Sequence, residues 1–226
     1  MRKLLLLCLI LTACGDISEF PQENLNEAKP SVGQKSDHGS SNCDPPVTQE
    51  EERIEELPYF YQYDNYLHPS SSCQNTSIAM VLASLGWEGE PDDITREWGK
   101  DLAQSPQGLA HVFNTIARRE GIRARIEPVL NGTLEELQRL LREGKPTIIH
   151  GYFTSYGHVI VARSYNGIAY KANDPAGRWN ESFGGGYLGR GGENISYAKA
   201  SFEAAVATSD GWNYLPLWYH KLIIED

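Results

Sequence analysis

Four side chains far apart in the chain have types suited to acyl transfer: Gln62, Cys73, His158 and Asp174. Cys73 follows Ser70-Ser71-Ser72 and precedes Gln74-Asn75-Thr76-Ser77, after which Ile78-Ala79-Met80-Val81-Leu82-Ala83-Ser84-Leu85 is almost wholly apolar. Such a segment reads as a helix buried on most sides, stopped by Gly86. Cys73 then stands at the helix N-terminus, where unpaired N–H groups and the helix dipole favour negative charge. A thiol placed there ionises more readily, and the thiolate is the nucleophile. A buried, inert cysteine is the alternative. A base, an orienting carboxylate and an oxyanion donor elsewhere in the chain would decide between the two.

The second half of the chain offers the base and the carboxylate. Thr147 to Phe153, Gly157 to Tyr165 and Ile168 to Asn173 read as three successive strands, with Asn166-Gly167 as a two-residue hairpin turn. On that register Tyr165 faces Ile168, and Val159 is level with Asp174. Asp174 thus falls within one residue of His158 across the ladder, and a one-residue bulge puts the two side by side on one face. Gly157, just before His158, leaves room for a substrate. A strand-end histidine and a turn-starting Asp-Pro are each common on their own. His150, in an apolar strand, is the fallback base; His68, His111 and His220 have no evident acidic partner. Gln62, about ten residues before Cys73, is the candidate oxyanion donor, together with the Cys73 backbone N–H.

Other elements frame these pieces. Pro91 opens a helical segment reaching about Leu102, and Gln107 to Glu120 has apolar residues at helical spacing. Ile122 to Glu127 reads as a strand. Thr133 and Glu136 form a T-x-x-E capping box for a helix ending at Gly144. Ala198 to Ala207 reads as a helix and Leu217 to Ile224 as a final strand. Helices first and antiparallel strands later predict an α+β fold. The loop Gly184 to Gly192 lacks the ending of a phosphate loop. It reads as a flap or surface loop whose Tyr187 and Arg190 are candidate substrate contacts.

In this order the residues resemble the papain-like cysteine peptidases, in the branch that includes the double-glycine bacteriocin leader peptidases. The matching pieces are Pro58-Tyr59-Phe60-Tyr61-Gln62, Cys73-Gln74-Asn75-Thr76-Ser77, Gly157-His158-Val159-Ile160-Val161 and Asn173-Asp174-Pro175. The resemblance implies a helical part carrying the cysteine and an antiparallel sheet carrying His and Asp. It also implies Cys73 as nucleophile, His158 as base, Asp174 as its orienter and Gln62 as oxyanion donor; no CxxC or Cys/His pair has zinc-site spacing, and no cofactor or metal is expected. The commoner start in that family is Cys-Gly-Pro-Thr; here Gln74 and Asn75 crowd the helix start. The leader peptidases are usually fused to a transporter, so a double-glycine leader is not the expected substrate.

The N-terminus sets the compartment. Arg2 and Lys3 precede a short apolar run, Leu4 to Leu11, shaped as a secretory signal. Leu11-Thr12-Ala13-Cys14 resembles the lipobox of bacterial lipoproteins, which implies diacylation of Cys14; ordinary cleavage after Ala13 is the alternative. Residues 15–56 are polar and proline-bearing and read as a disordered tether, with residues 57–226 as the peptidase domain. The acidic run Glu50 to Glu56 suggests one short helix. Cys43 could pair with Cys73 in an exported protein, though its setting does not favour a bridge. The net charge of −10 argues against nucleic acid and against electrostatic binding to anionic lipid. The expected function is therefore a cysteine-nucleophile hydrolase, peptidase or amidase, cleaving a peptide or isopeptide bond in the bacterial envelope and membrane-anchored through its lipid. An inactive papain-like binding module and an acyltransferase or transglutaminase-like enzyme are the alternatives.

Overall fold

The computed structural model describes residues 56–182, 185–209 and 214–225. The expected signal and lipobox with Cys14, the expected tether with Cys43, and the acidic run up to residue 55 lie outside the described residues.

The first helix, α1 (Cys73–Ala83), is buried along its length, with every residue from Gln74 to Leu82 buried. Its surroundings explain this. Helices α2 (Pro91–Trp98) and α3 (Pro106–Arg119) pack on it, and Ile78, Val81 and Leu82 join Leu109, Val112, Phe113 and Ile116 in one core. The helix expected to run to Leu102 ends at Trp98, and a separate 3-10 turn covers Leu102–Gln104. Gly99, with φ of 72°, breaks the helix between them. Strand β1 (Ala124–Gly132) is longer than expected. It accommodates Pro128 because it is an edge strand with a single neighbour.

Helix α4 (Leu134–Arg142) starts where the Thr133 hydroxyl accepts from the Glu136 N–H at 3.2 Å. The return half of the capping box is absent, because the Glu136 carboxylate is engaged by Arg139. Strands β2 (Thr147–Gly151), β3 (His158–Tyr165), β4 (Ala169–Asn173) and β5 (Ile195–Ala198) follow. Then come helix α5 (Lys199–Val206), a two-residue ladder of β6 (Thr208–Ser209) with β7 (Tyr214–Leu215), and β8 (Leu217–Ile224). The main sheet is antiparallel, ordered β1-β8-β2-β3-β4-β5.

The sheet is covered on both faces, so its central strands are apolar at consecutive positions. Ile148, Val159, Val161 and Leu222 belong to the core under α1 and α3. Ile149, Ile160, Ala162 and Tyr219 belong to a second core with Leu137 and Leu140 of α4 and Phe202 and Val206 of α5. The α+β fold is as expected.

The β3–β4 hairpin differs from the expected register. Its turn is centred on Gly167 and Ile168, with the Asn166 N–H donating to the Ala169 carbonyl at 3.2 Å and Tyr165 facing Tyr170. The Asn166 side chain causes the shift. Its Oδ1 accepts from the N–H groups of Ile168 and Ala169 at 3.1 and 2.9 Å, closing an Asx turn. A bulge between Ala162 and Ser164 then slips the ladder by one, so Val161 faces Asn173. Without the bulge His158 and Asp174 would point to opposite faces. With it they share a face, as diagonal rather than directly opposed neighbours.

Candidate active site

Cys73 is a free, part-buried cysteine at the start of α1. The polar residues after it are buried and anchor the helix start. Gln74 Nε2 donates to the Ser71 and Lys100 carbonyls, and Asn75 Nδ2 donates to Thr95 Oγ1 and the Gly99 carbonyl, both at 3.0 Å. Thr76 Oγ1 donates to the Ser72 carbonyl at 2.8 Å. Ser77 Oγ donates to the Val159 carbonyl at 3.1 Å, which ties α1 to the strand position next to His158. Gln74 and Asn75 therefore reach sideways into the α2 region, while Gln74 Oε1 accepts from the Cys73 thiol at 3.3 Å.

His158 is 7 % exposed at the start of β3, and its Nε2 lies 2.8 Å from Asp174 Oδ1. Its other ring nitrogen, Nδ1, is left for Cys73, with which the ring is within hydrogen-bonding reach. Burial opposes protonation of His158, but the Asp174 charge, the Cys73 thiolate and their hydrogen bonds outweigh it and raise its pKa. Burial likewise opposes ionisation of Cys73, yet the charge and hydrogen bond of His158 prevail, and the thiol's pKa is lowered. The two groups thus favour each other's charged forms.

Asp174 is 0 % exposed and fully hydrogen-bonded. Oδ1 takes the His158 ring and the Ala176 N–H at 3.0 Å. Oδ2 takes the hydroxyls of Tyr187 and Tyr197 at 3.1 and 3.0 Å. Burial, then the Asp174 charge, pushes both phenols above their ordinary range and keeps them neutral donors. The Asp174 backbone is held as firmly. Its carbonyl accepts from Tyr59 Oη at 3.0 Å, and its N–H donates to the Gly192 carbonyl at 2.8 Å. A Cβ on Gly192 would stand 2.1 Å from the Asp174 carbonyl oxygen, so only glycine fits that approach. Asn173 Nδ2 reaches the carbonyls of Leu57 and Pro58 at 3.2 and 3.1 Å, which straps the segment before Gln62 across the end of β4.

Gln62 is 3 % exposed in a 3-10 turn (Gln62–Asp64). Its N–H donates to the Pro175 carbonyl at 2.8 Å and its Nε2 to the Pro69 carbonyl at 3.0 Å. Its Oε1 is buried without a partner, and Gln62, Cys73 and His158 line one cavity. The cavity measures about 630 Å³.

The remaining candidates fall into place differently. Tyr187 lines the cavity, with its ring 5.5 Å from His158 in an edge-on contact, but its hydroxyl is bound to Asp174. Arg190 is turned away from the cavity: it pairs with Asp64 and lies over the Tyr61 ring at 4.2 Å. Gly157 lines the cavity, yet the space it leaves is not the reason for glycine. A Cβ there would meet nothing nearer than 3.9 Å, whereas its φ of 82° is left-handed. Gly184 lies outside the described residues.

Among the other histidines, His150 also lines the cavity, and burial followed by the nearby His220 depresses its pKa to about 3. His220 is fully buried, with Nε2 2.9 Å from the Pro106 carbonyl. His111 packs edge-on to Trp98, and His68 is exposed. Sequence reading missed Tyr59, Tyr197 and Ser77, whose partners are 115, 23 and 82 positions away. No local pattern marks such contacts. Among the described residues no group of three or more His, Cys, Asp or Glu is placed to hold a metal.

The arrangement can generate a thiolate, hold an imidazolium beside it, and offer N–H donors at a helix start. Those are the parts of a thiol acyl-transfer site. Comparison with known proteins agrees on the family. The chain resembles a protein from Bacillus anthracis described as a C39-like peptidase, with a TM-score of 0.52 and 14% identity over 75% of this chain and 96% of that one. It is also similar to a double glycine motif protease from an AMS/PCAT transporter, crystallised with its leader peptide. That match has a TM-score of 0.46 and 16% identity over 74% and 91% of the two chains. None of the curated proteins matches. The sequence model of the Peptidase_C39-like family matches residues 54–204, and the chain belongs to that family.

Proposed function

We propose that the protein is a cysteine peptidase or amidase that cleaves a peptide or isopeptide bond in the bacterial envelope, held at a membrane by lipid on Cys14. The observation that carries the catalytic part is the pairing of Cys73, at a helix start, with a His158 ring whose far side is fixed by a buried Asp174. Cys73 is the nucleophile. Its sulfur attacks the carbonyl carbon, and the oxyanion receives N–H bonds from the Cys73 backbone and the Gln62 side-chain amide. His158 gives its Nδ1 proton to the leaving amine. It then takes one from the water that releases the acyl group and restores the thiol. Asp174 keeps the ring's orientation and balances its charge. The lipid and the envelope setting rest on the sequence from Arg2 to Cys14.

The test compares wild-type protein with Cys73→Ala and His158→Ala on a pool of envelope peptides, alongside iodoacetamide labelling. Turnover by wild type alone, with Cys73 alkylated at mildly acidic pH much faster than a free thiol, is the expected result. Unchanged alkylation in His158→Ala, with no turnover by wild type, would end the catalytic reading.

A further inference from the structure

Charged residues make up 22% of the chain, which carries a net charge of −10. Yet among the described residues lining the cavity there is no Asp, Glu, Lys or Arg. The lining consists of aromatic rings, hydroxyls, amides, two histidines, Cys73 and small or aliphatic residues. Near lining residues, Asp64 is paired with Arg190, Lys100 with Asp101, and Asp174 with His158. His150, half-buried, adds none, because desolvation keeps its imidazole neutral. The Cys73–His158 couple carries one charge of each sign when ionised. A charged side chain entering this space would shed water and find no counter-ion on the lining among the described residues.

What the wall offers is apolar area. Tyr63, Tyr152, Tyr156 and Trp218 are 49, 42, 99 and 37 % exposed and stand together around the cavity. Exposed large rings in one place mark a binding surface rather than a packing accident. Tyrosine and tryptophan supply broad contact at little entropic cost. Trp218 lies opposite His150 on the β2–β8 ladder, ring centroids 6.1 Å apart, so its ring is positioned by the sheet. The volume, about 630 Å³, suits a ligand with side chains rather than a bare pair of glycines.

We propose that the substrate is a peptide segment whose residues flanking the scissile bond are bulky and uncharged, aromatic or branched aliphatic, and that Trp218 with the neighbouring tyrosines selects it. This rests on the hydrolase reading above and adds the substrate class. Quenched fluorogenic peptides differing only in the residues flanking one amide test it: Phe or Leu, Gly-Gly, Asp, or Lys. Wild type should cleave the Phe and Leu peptides with kcat/KM on the order of tenfold or more above the others. Trp218→Ala and Tyr156→Ala should shrink that ratio while the iodoacetamide rate at Cys73 stays unchanged. Tyr156 is almost fully exposed, so its variant tests the proposal even if the Trp218 variant fails to fold.

Binding of the same peptides, and of a sugar-bearing envelope peptide, to Cys73→Ala separates the two claims. Preferential binding of Phe and Leu peptides without turnover by wild type upholds the selection and refutes the hydrolase. Equal or better handling of Gly-Gly, Asp, Lys or sugar-bearing peptides overturns the selection even if turnover is observed.

Discussion

Replacing Asp174 by asparagine removes one charge and almost no volume, and the site makes its effect specific. The carboxylate is fully buried and lies 2.8 Å from His158 Nε2. An opposite charge this close typically shifts a pKa by about one to three units, and each unit is worth about 1.4 kcal/mol. In the variant the imidazolium loses that support, so it deprotonates at lower pH. The thiol ionises on the acid side, where His158 is still protonated, so it keeps the charge that lowers its pKa and its limb should stay near the wild-type position. The two titrations belong to the coupled pair. The pH profile should therefore narrow from the alkaline side, by about one to three units. The amide must also fit. Asn Oδ1 could keep the His158 and Ala176 contacts, but its NH2 would face two phenols that now donate, forcing the Tyr187 and Tyr197 hydroxyls to turn. The assay is the pH dependence of the iodoacetamide rate at Cys73, checked by thiolate absorbance and by kcat/KM on a cleaved peptide. A profile superimposable on that of wild type would refute the electrostatic account of the dyad.

Two other outcomes are expected. Tyr187→Phe deletes one of the four hydrogen bonds to the Asp174 carboxylate, which should cost about 1.5–3 kcal/mol in urea unfolding. With its charge less quenched, Asp174 holds the His158 proton more tightly, so the alkaline limb should move up, opposite to the shift in Asp174→Asn. Half-buried His150 and fully buried His220 are neutral, with pKa values lowered mainly by desolvation. Unfolded histidines bind protons near pH 6.5, so the unfolded state takes up more protons as pH falls. For His150, stability should drop between pH 6.5 and about 3 by up to about 1.4 kcal/mol per unit, and His220 acts in the same direction. Urea midpoints across that range should flatten in His150→Gln.

The parts of the fold legible in the sequence are those where local chemistry and burial agree. The uniform apolar run after Cys73 could only be a helix enclosed by others, and the Thr133 cap and the β8 limits could be read from neighbouring residues. The hairpin shows where reading failed. Asn-Gly signals a turn, but the Asn166 side chain closed an Asx turn one residue later, and nothing in Arg163 announces the bulge that corrects the face. The candidate site was legible as residue types in order: Gln62, Cys73 and His158 line one cavity, with Asp174 behind. Arg190 could not be placed, because an exposed arginine goes to whichever carboxylate and ring the fold brings near, here Asp64 and Tyr61. The tyrosines on Asp174 come from a loop and an edge strand, and only the folded sheet joins them.

The strap from Leu57 to Gln62 ends at the Pro175 carbonyl and is stitched to Asn173 and Asp174 on the way. Mechanically, the first residues of the domain and the carboxylate behind the imidazole are one piece. A force applied to the chain ahead of Leu57 would reach the reaction centre through these bonds. Trimming a recombinant protein past that point would dull the site while leaving most of the molecule intact.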